Sequence, residues 1–189
     1  MIPTEFKKHC EGAARTMLAK ELSLSNMHEV PKLTKIVLNA GVKGAGQDAK
    51  VMNYVYEGMT AIAGQKPMKT KAKKSIAGFK IRENVHIGCM VTLRGKAMYS
   101  FLEKLTKVVI PAIRDFRGLP KKVDQQGNYN LGLKDWSVFP EINFDRFPNA
   151  HGLNITFCIQ GGVKKGFSQA LLKSLGILFV EEDNKNRGL

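Results

Sequence analysis

Three stretches of the chain alternate apolar and polar residues with a period of two, and this limits the possible folds more than any other feature. The clearest is Leu153 to Ile159, where Leu153, Ile155, Phe157 and Ile159 fall on one side and Asn154, Thr156 and Gln160 on the other. Ile87 to Leu93 repeats the pattern, with Ile87, Cys89, Val91 and Leu93 opposed by Met90, Thr92 and, one step on, Arg94. In Leu33 to Asn39, Thr34, Ile36 and Leu38 share a face against Lys35, Val37 and Asn39. Strands of this kind bury one face only, whereas a parallel sheet covered on both sides reads as continuous apolar runs. Tyr129–Leu133 is a further expected strand, and Pro67 opens a short one.

Between these stretches the period changes to that of helices. Residues 5–22 place Phe6, Cys10, Ala13, Met17 and Leu18 on one stripe. A second helix is expected from Asp48, a good N-cap, to Ala63, with Ala49, Met52, Val55, Tyr56, Met59 and Ile62 as its apolar stripe and Gly64 as its stop. A third runs from Lys96 to Ile110, burying Met98, Phe101, Leu102, Leu105 and Val109; Pro111 is expected to stop it. Glu103 and Lys107 form an i,i+4 pair on it. A last helix, Ser168 to Leu175, ends at Gly176, and the stretch from Pro111 to Pro148 is mostly turns. The expected fold is α+β: a mostly antiparallel sheet with helices packed on one face, the other face open. At 189 residues the chain is expected to form a single domain.

Charge says what the open face meets. The chain holds 30 Lys+Arg against 16 Asp+Glu, a formal net charge of +14. That excess favours a polyanionic partner, nucleic acid before membrane. The cations are also clustered: Lys66, Lys69, Lys71, Lys73, Lys74, Lys80 and Arg82 follow one another with no acid before Glu83. Each phosphate they neutralise releases counterion. Within this run, TKAKKSIAGFK (70–80) surrounds a small tip with cations. Gly78 gives backbone freedom there and Phe79 a surface for stacking, as in a protruding RNA-contacting loop. Lys35, Asn39, Thr92, Arg94, Asn154, Thr156 and Gln160 add cations, amides and hydroxyls on the polar strand faces. Such groups hold phosphates, ribose hydroxyls and base edges.

Other chemistries find little footing. The histidines His9, His28, His86 and His151 are dispersed, and Cys10, Cys89 and Cys158 form neither a CxxC pair nor a nucleophile signature. No metal, cofactor or catalytic residue is therefore expected. Gly41-Val-Lys-Gly-Ala-Gly46 lies between a strand and a helix, but GxxGxG is not the dinucleotide fingerprint and no GK[ST] follows. A simple strand-to-helix turn is the better reading. No run of apolar residues is long enough to span a membrane, and the first twenty residues lack the apolar core of a secretory leader.

Several segments are similar to one family in order and with few gaps over about residues 5–180. VPKLTKIVLNAGV (30–42), GQKPMKTKAKKSIAGFKIRE (64–83), IGCMVTLRGKAMYSFLEKL (87–105), IPAIRDFRGL (110–119), GNYNLGLKD (127–135) and FPEI (139–142) resemble the bacterial-type L5 proteins of the large ribosomal subunit. The resemblance implies a non-catalytic α+β protein of the central protuberance. Implied partners are 5S ribosomal RNA, large-subunit ribosomal RNA, P-site tRNA, a small-subunit head protein and neighbouring large-subunit proteins.

Carried over by position, the ribosomal-RNA group is Lys35, Asn39, Gln65, Lys66, Thr92, Arg94, Asn154 and Thr156. The tRNA-facing group lies in the protruding loop 71–82: Lys71, Lys73, Lys74, Ser75, Gly78, Phe79 and Lys80. The bridge to the small subunit would use Arg114, Arg117, Asn143, Asp145 and Arg146. Some positions depart from the family pattern. Val163 to Ser168 reads VKKGFS where an acid-rich helix start is usual, Trp136 stands for a polar residue, and Asn154 for an acid. Gly44-Ala45-Gly46 loosens a turn, and 181–189 is an extension without a counterpart. These departures lead to an expectation of a divergent ribosome, bacterial or organellar, with the mitochondrion favoured.

Overall fold

The computed structural model describes residues 6, 10, 12–42, 49–114, 116, 118–143, 147, 150–162 and 166–180. Helix α1 (Ala13–Glu21) precedes strand β1 (Lys32–Gly41) and helix α2 (Ala49–Ala63). Strands β2 (Met68–Lys71) and β3 (His86–Leu93) flank the basic segment. Helix α3 (Gly95–Lys104) follows, then strands β4 (Tyr129–Leu133) and β5 (Leu153–Gln160) and helix α4 (Phe167–Ser174). The five strands form one sheet in the order β2-β3-β1-β5-β4, with every neighbouring pair antiparallel.

The period-two pattern is met by the register. Direct cross-strand partners share a face, and Leu38 lies opposite Val91 on one side and Ile155 on the other. Ile36 is likewise flanked by Leu93 and Phe157, and Tyr129, Leu131 and Leu133 extend the same face across β4. All of these residues are buried. Helix α2 packs against β3 and α3 against β1, while α1 meets α4. One contiguous core joins the sheet and these helices. Only Thr34 leaves the expected alternation: a bulge between Leu33 and Lys35 puts Leu33 inward with Ile36. The Thr34 hydroxyl instead donates to the Cys158 carbonyl at 2.8 Å.

Helices α2 and α3 follow their stripes, with one correction at the end of α3, whereas on α1 Met17, expected on the buried stripe with Leu18, is 67% exposed. Helix α2 buries Met52, Val55, Met59 and Ile62, and Gly64, at φ +66°, takes the left-handed conformation that ends it. The expected N-cap Asp48 lies outside the described residues. Helix α3 continues through a π-helical turn, Leu105–Val109, into a last turn, Ile110–Ala112. Pro111 thus sits inside the final turn, and the chain becomes extended only at Ile113. The change of hydrogen-bond pitch just ahead of Pro111 accommodates its missing N–H. The Glu103–Lys107 pair forms at 2.6 Å.

The stretch after α3 holds more core than its weak pattern suggests. Trp136, Phe139, Ile142 and Phe147 are all buried. Trp136 lies over Gly58 of α2 so closely that a Cβ there would come within 2.6 Å of the indole. Tyr54, Phe147 and His151 surround the same indole at ring-centroid distances of 5.0–6.1 Å. Lys104 ties this stretch to the helices by donating to the Ile62 carbonyl at 2.8 Å and to Glu141 at 2.6 Å.

Candidate nucleic-acid interface

The side of the sheet away from the core carries rows of residues set by register. One row runs Met68–Met90–Asn39–Asn154–Gly132 across all five strands, and a second runs Thr92–Val37–Thr156–Asn130. Adjacent members of a row stand about 4.8 Å apart by strand spacing. Lys35 begins a third row, opposite Cys158. The open face therefore brings together Lys35, Asn39, Thr92, Asn154 and Thr156, which are far apart in sequence. Arg94 extends the β3 alternation one step past the strand, in an extended backbone (φ −137°, ψ 160°), and is exposed. Gln65 and Lys66 are not on the sheet. They lie exposed in the turn between α2 and β2, which the antiparallel register sets toward the Thr92–Arg94 end of β3.

Asn130 and Met68 belong to this face and were not placed on it from the sequence. Asn130 accepts a hydrogen bond from the Thr156 hydroxyl at 2.6 Å, which fixes both side chains. The alternation of Tyr129–Leu133 was the signal that could have found it. Met68 and Met90 are cross-strand partners and 69% and 36% exposed, so one edge of the polar face is apolar. Asn154 stands beside Gly132, where no side chain crowds it.

The basic loop leaves the opposite end of β2. Ala72 pairs with Val85 and Asn84 through backbone hydrogen bonds of 2.8 and 3.0 Å. Further out, Ile76 and Ile81 exchange bonds of 2.9 and 3.2 Å, and the Glu83 N–H donates to the Ser75 hydroxyl at 2.9 Å. A 3-10 turn, Ala77–Phe79, closes the tip, with Lys80 left-handed at φ +54°. Lys71, Lys73, Lys74, Ser75, Gly78, Phe79 and Lys80 are all exposed, Phe79 at 74%. Lys69, part of the same cationic run, faces the helices instead. Its ammonium donates to Asn53 at 2.8 Å and lies 5.2 Å from the Tyr56 ring, so it secures the edge strand to α2. Burial raises the pKa of the neighbouring Cys89 thiol, while the Lys69 charge works the other way. Cys89 is a core residue.

The residues expected to bridge to the small subunit are only partly described. Arg114, exposed, lines a groove of about 900 Å³ with Phe116, Leu119, Leu133, Lys134 and Val138. Asn143 is exposed, and its carbonyl accepts from the Phe147 N–H at 2.8 Å. Arg117, Asp145 and Arg146 lie outside the described residues, as do Gly44-Ala45-Gly46, 163–165 and the extension 181–189.

The comparisons with known proteins agree with this architecture. The family model of ribosomal protein L5 matches residues 26–82, and the model of the same ribosomal family's C-terminus matches residues 86–179. The first supplies β1 and β2 and the second β3 to β5, so the two matched segments interleave in one sheet. The chain is 51% identical over 166 residues to the large ribosomal subunit protein uL5 of Psychrobacter arcticus, covering 87% of this chain and 93% of that protein. To the protein of the same name from Prochlorococcus marinus it is 48% identical over 175 residues, 92% of this chain and 97% of the relative. For that of Geobacter sulfurreducens the identity is 49% over 163 residues, 86% and 90%. All three relatives are bacterial, which gives the mitochondrial expectation no support. With matches of this length to both halves of the sheet, the chain belongs to the ribosomal protein L5 family, structural and non-enzymatic constituents of the large ribosomal subunit.

Proposed function

We propose that this protein, acting as one domain, holds 5S ribosomal RNA against large-subunit ribosomal RNA in a bacterial-type ribosome. The open sheet face is the gripping surface. The observation that carries this reading is the register: it places Asn39, Asn154, Thr156, Thr92 and Lys35 on one continuous side, opposite the strand residues that are buried in the core. Amides and hydroxyls there take ribose hydroxyls and base edges, while Arg94, Lys66 and Gln65 at one end meet backbone phosphates. The loop from Lys71 to Arg82 reaches P-site tRNA through phosphate contacts, which suit a site that accepts every tRNA. The edge around Arg114, Arg117, Asn143, Asp145 and Arg146 bridges to a small-subunit head protein, beside neighbouring large-subunit proteins.

Sedimentation of native extract through a sucrose gradient in magnesium, with and without ribonuclease, tests the assignment. The protein is expected with the large subunit and the monosome, shifting to the top after ribonuclease, and 5S ribosomal RNA is expected to co-purify from gently dissociated subunits. Recovery of the protein at the top without ribonuclease, or release of 5S RNA without it, contradicts the reading.

A further inference from the structure

The open face changes character at its β2 edge. The row Met68–Met90–Asn39–Asn154 carries amides at its centre and is apolar at that end. Met68 and Met90 are direct cross-strand partners, 69% and 36% exposed. Met90 points away from the core, since Cys89 and Val91 on either side of it are buried. The next row along the strands is Thr70–Gly88–Gly41. Two of its members have no side chain, and the Thr70 hydroxyl lies over Gly88, where a Cβ would stand 3.0 Å from it. Gly41 is exposed, and a Cβ there would meet nothing within 4 Å among the described residues. The methionine pair therefore forms a step above low ground, with Asn39 next in the same row.

A single exposed methionine needs no explanation. Two in register at the end of a row of amides make a composite surface, apolar for the face of a flat ring and polar for its edge. Thioethers pack well on aromatic rings and adapt to their shape, and an Asn amide both donates to and accepts from a base edge. Two side chains are too few for a protein partner, whose stable interfaces bury about 800 Å² on each side. The net charge of +14 and the continuity of the pair with the amide row favour a nucleic acid instead. We propose that Met68 and Met90 form a seat for one unpaired base of the RNA held by the open face, with its ring on the two thioethers and its edge on the Asn39 amide. Such a base comes from a loop or a bulge, where it is free to leave the stack. The inference rests on the sheet-face reading proposed above.

The test measures filter binding of the full-length protein to bacterial 5S ribosomal RNA, with base-specific chemical probing of the bound RNA. Met68→Gln with Met90→Gln keeps side-chain length and removes the apolar surface, whereas Met68→Leu with Met90→Leu keeps that surface. Both positions are exposed, so urea midpoints are expected to stay near the wild-type value. The double glutamine variant is expected to bind about tenfold more weakly. Its salt slope should not change, because no phosphate contact is lost. One unpaired base protected by the wild type should become reactive, and the double leucine variant should keep both the affinity and the protection. Wild-type affinity in the double glutamine variant, while Asn39→Ala weakens binding, overturns the seat and leaves the sheet-face reading standing. If neither change alters affinity, the sheet-face reading fails and the seat with it. Weaker binding without any base gaining reactivity, or an equal loss in the double leucine variant, also overturns the seat. So does a double glutamine variant that binds RNA normally but is lost from washed large subunits, since the methionines would then meet a neighbouring protein.

Discussion

The open sheet face and the basic loop are both exposed and polar, yet they are held in opposite ways. Asn39, Thr92, Asn154 and Thr156 each stand between two buried neighbours in their own strands: Asn39 lies between Leu38 and Ala40, and Thr156 between Ile155 and Phe157. Their positions are therefore fixed by the core beneath them. The loop has one buried residue, Ala72, at its root. Beyond that it is shaped by a few backbone hydrogen bonds and the Ser75–Glu83 contact. The difference matches the two tasks proposed. A face that recognises one structured RNA needs groups at fixed spacing, whereas a loop that meets many tRNAs needs charge at a distance from the body.

The strongest way to break this comparison is to disturb the core under the face. Leu38 is fully buried between Val91 and Ile155, so Leu38→Ala is expected to cost about 2–5 kcal/mol of stability. Urea unfolding would show the loss. Replacing the loop tip 75–79 with a glycine-serine linker should leave the urea midpoint nearly unchanged. Equal losses in the two variants would mean that the loop is part of the folded core after all.

Next in size are the face residues themselves. Asn39→Ala or Arg94→Ala should weaken binding to 5S ribosomal RNA by about 1–3 kcal/mol while leaving unfolding within about 0.5 kcal/mol of wild type. Filter binding at fixed salt measures the first and urea unfolding the second. Wild-type affinity in both variants would remove the sheet face from the interface.

The loop sharpens the contrast through salt dependence. Lys73→Ala with Lys74→Ala should lower the slope of log K against log salt for tRNA by roughly two, one for each phosphate left without its lysine. Asn39→Ala should leave the slope for its own RNA unchanged. An identical slope in the double variant would show that these lysines do not touch phosphate.

The smallest effect concerns acid. His151 packs on Trp136 and Tyr54, and burial lowers its pKa despite the opposing Asp135 charge. The unfolded chain then binds the proton more readily than the fold. Stability is complete above the unfolded value near 6.5 and falls as the pH drops from there toward the lower folded value. Unfolding free energies at stepped pH should show this decline in the wild type and a shallower one in His151→Gln. Equal pH profiles would place the acid sensitivity elsewhere.

Strands were legible in the sequence because a period of two reports a single buried face directly. Leu153–Gln160 and His86–Leu93 appear within a residue of where the alternation puts them. So were the stripes of α2 and α3, and the exposure of the basic loop. Apart from the Tyr129–Leu133 strand, the stretch from Pro111 to Pro148 was not. Trp136, Phe139 and Phe147 lie there in turns without a period, and nothing local says that the indole is received by Gly58 of a distant helix.

The sequence by itself determined which side of each strand is buried, where the cations gather, and the family to which the chain belongs. These are local or linear properties, carried by residue type and spacing. Only the tertiary structure decided which polar residues become neighbours. Strand order brings Asn39 beside both Met90 and Asn154, and Thr156 beside Asn130. It also turned Lys69 from a member of the cationic run into a brace against α2. Contacts of this kind join residues far apart in the chain, and they exist only once the core has fixed the register and the packing of the helices.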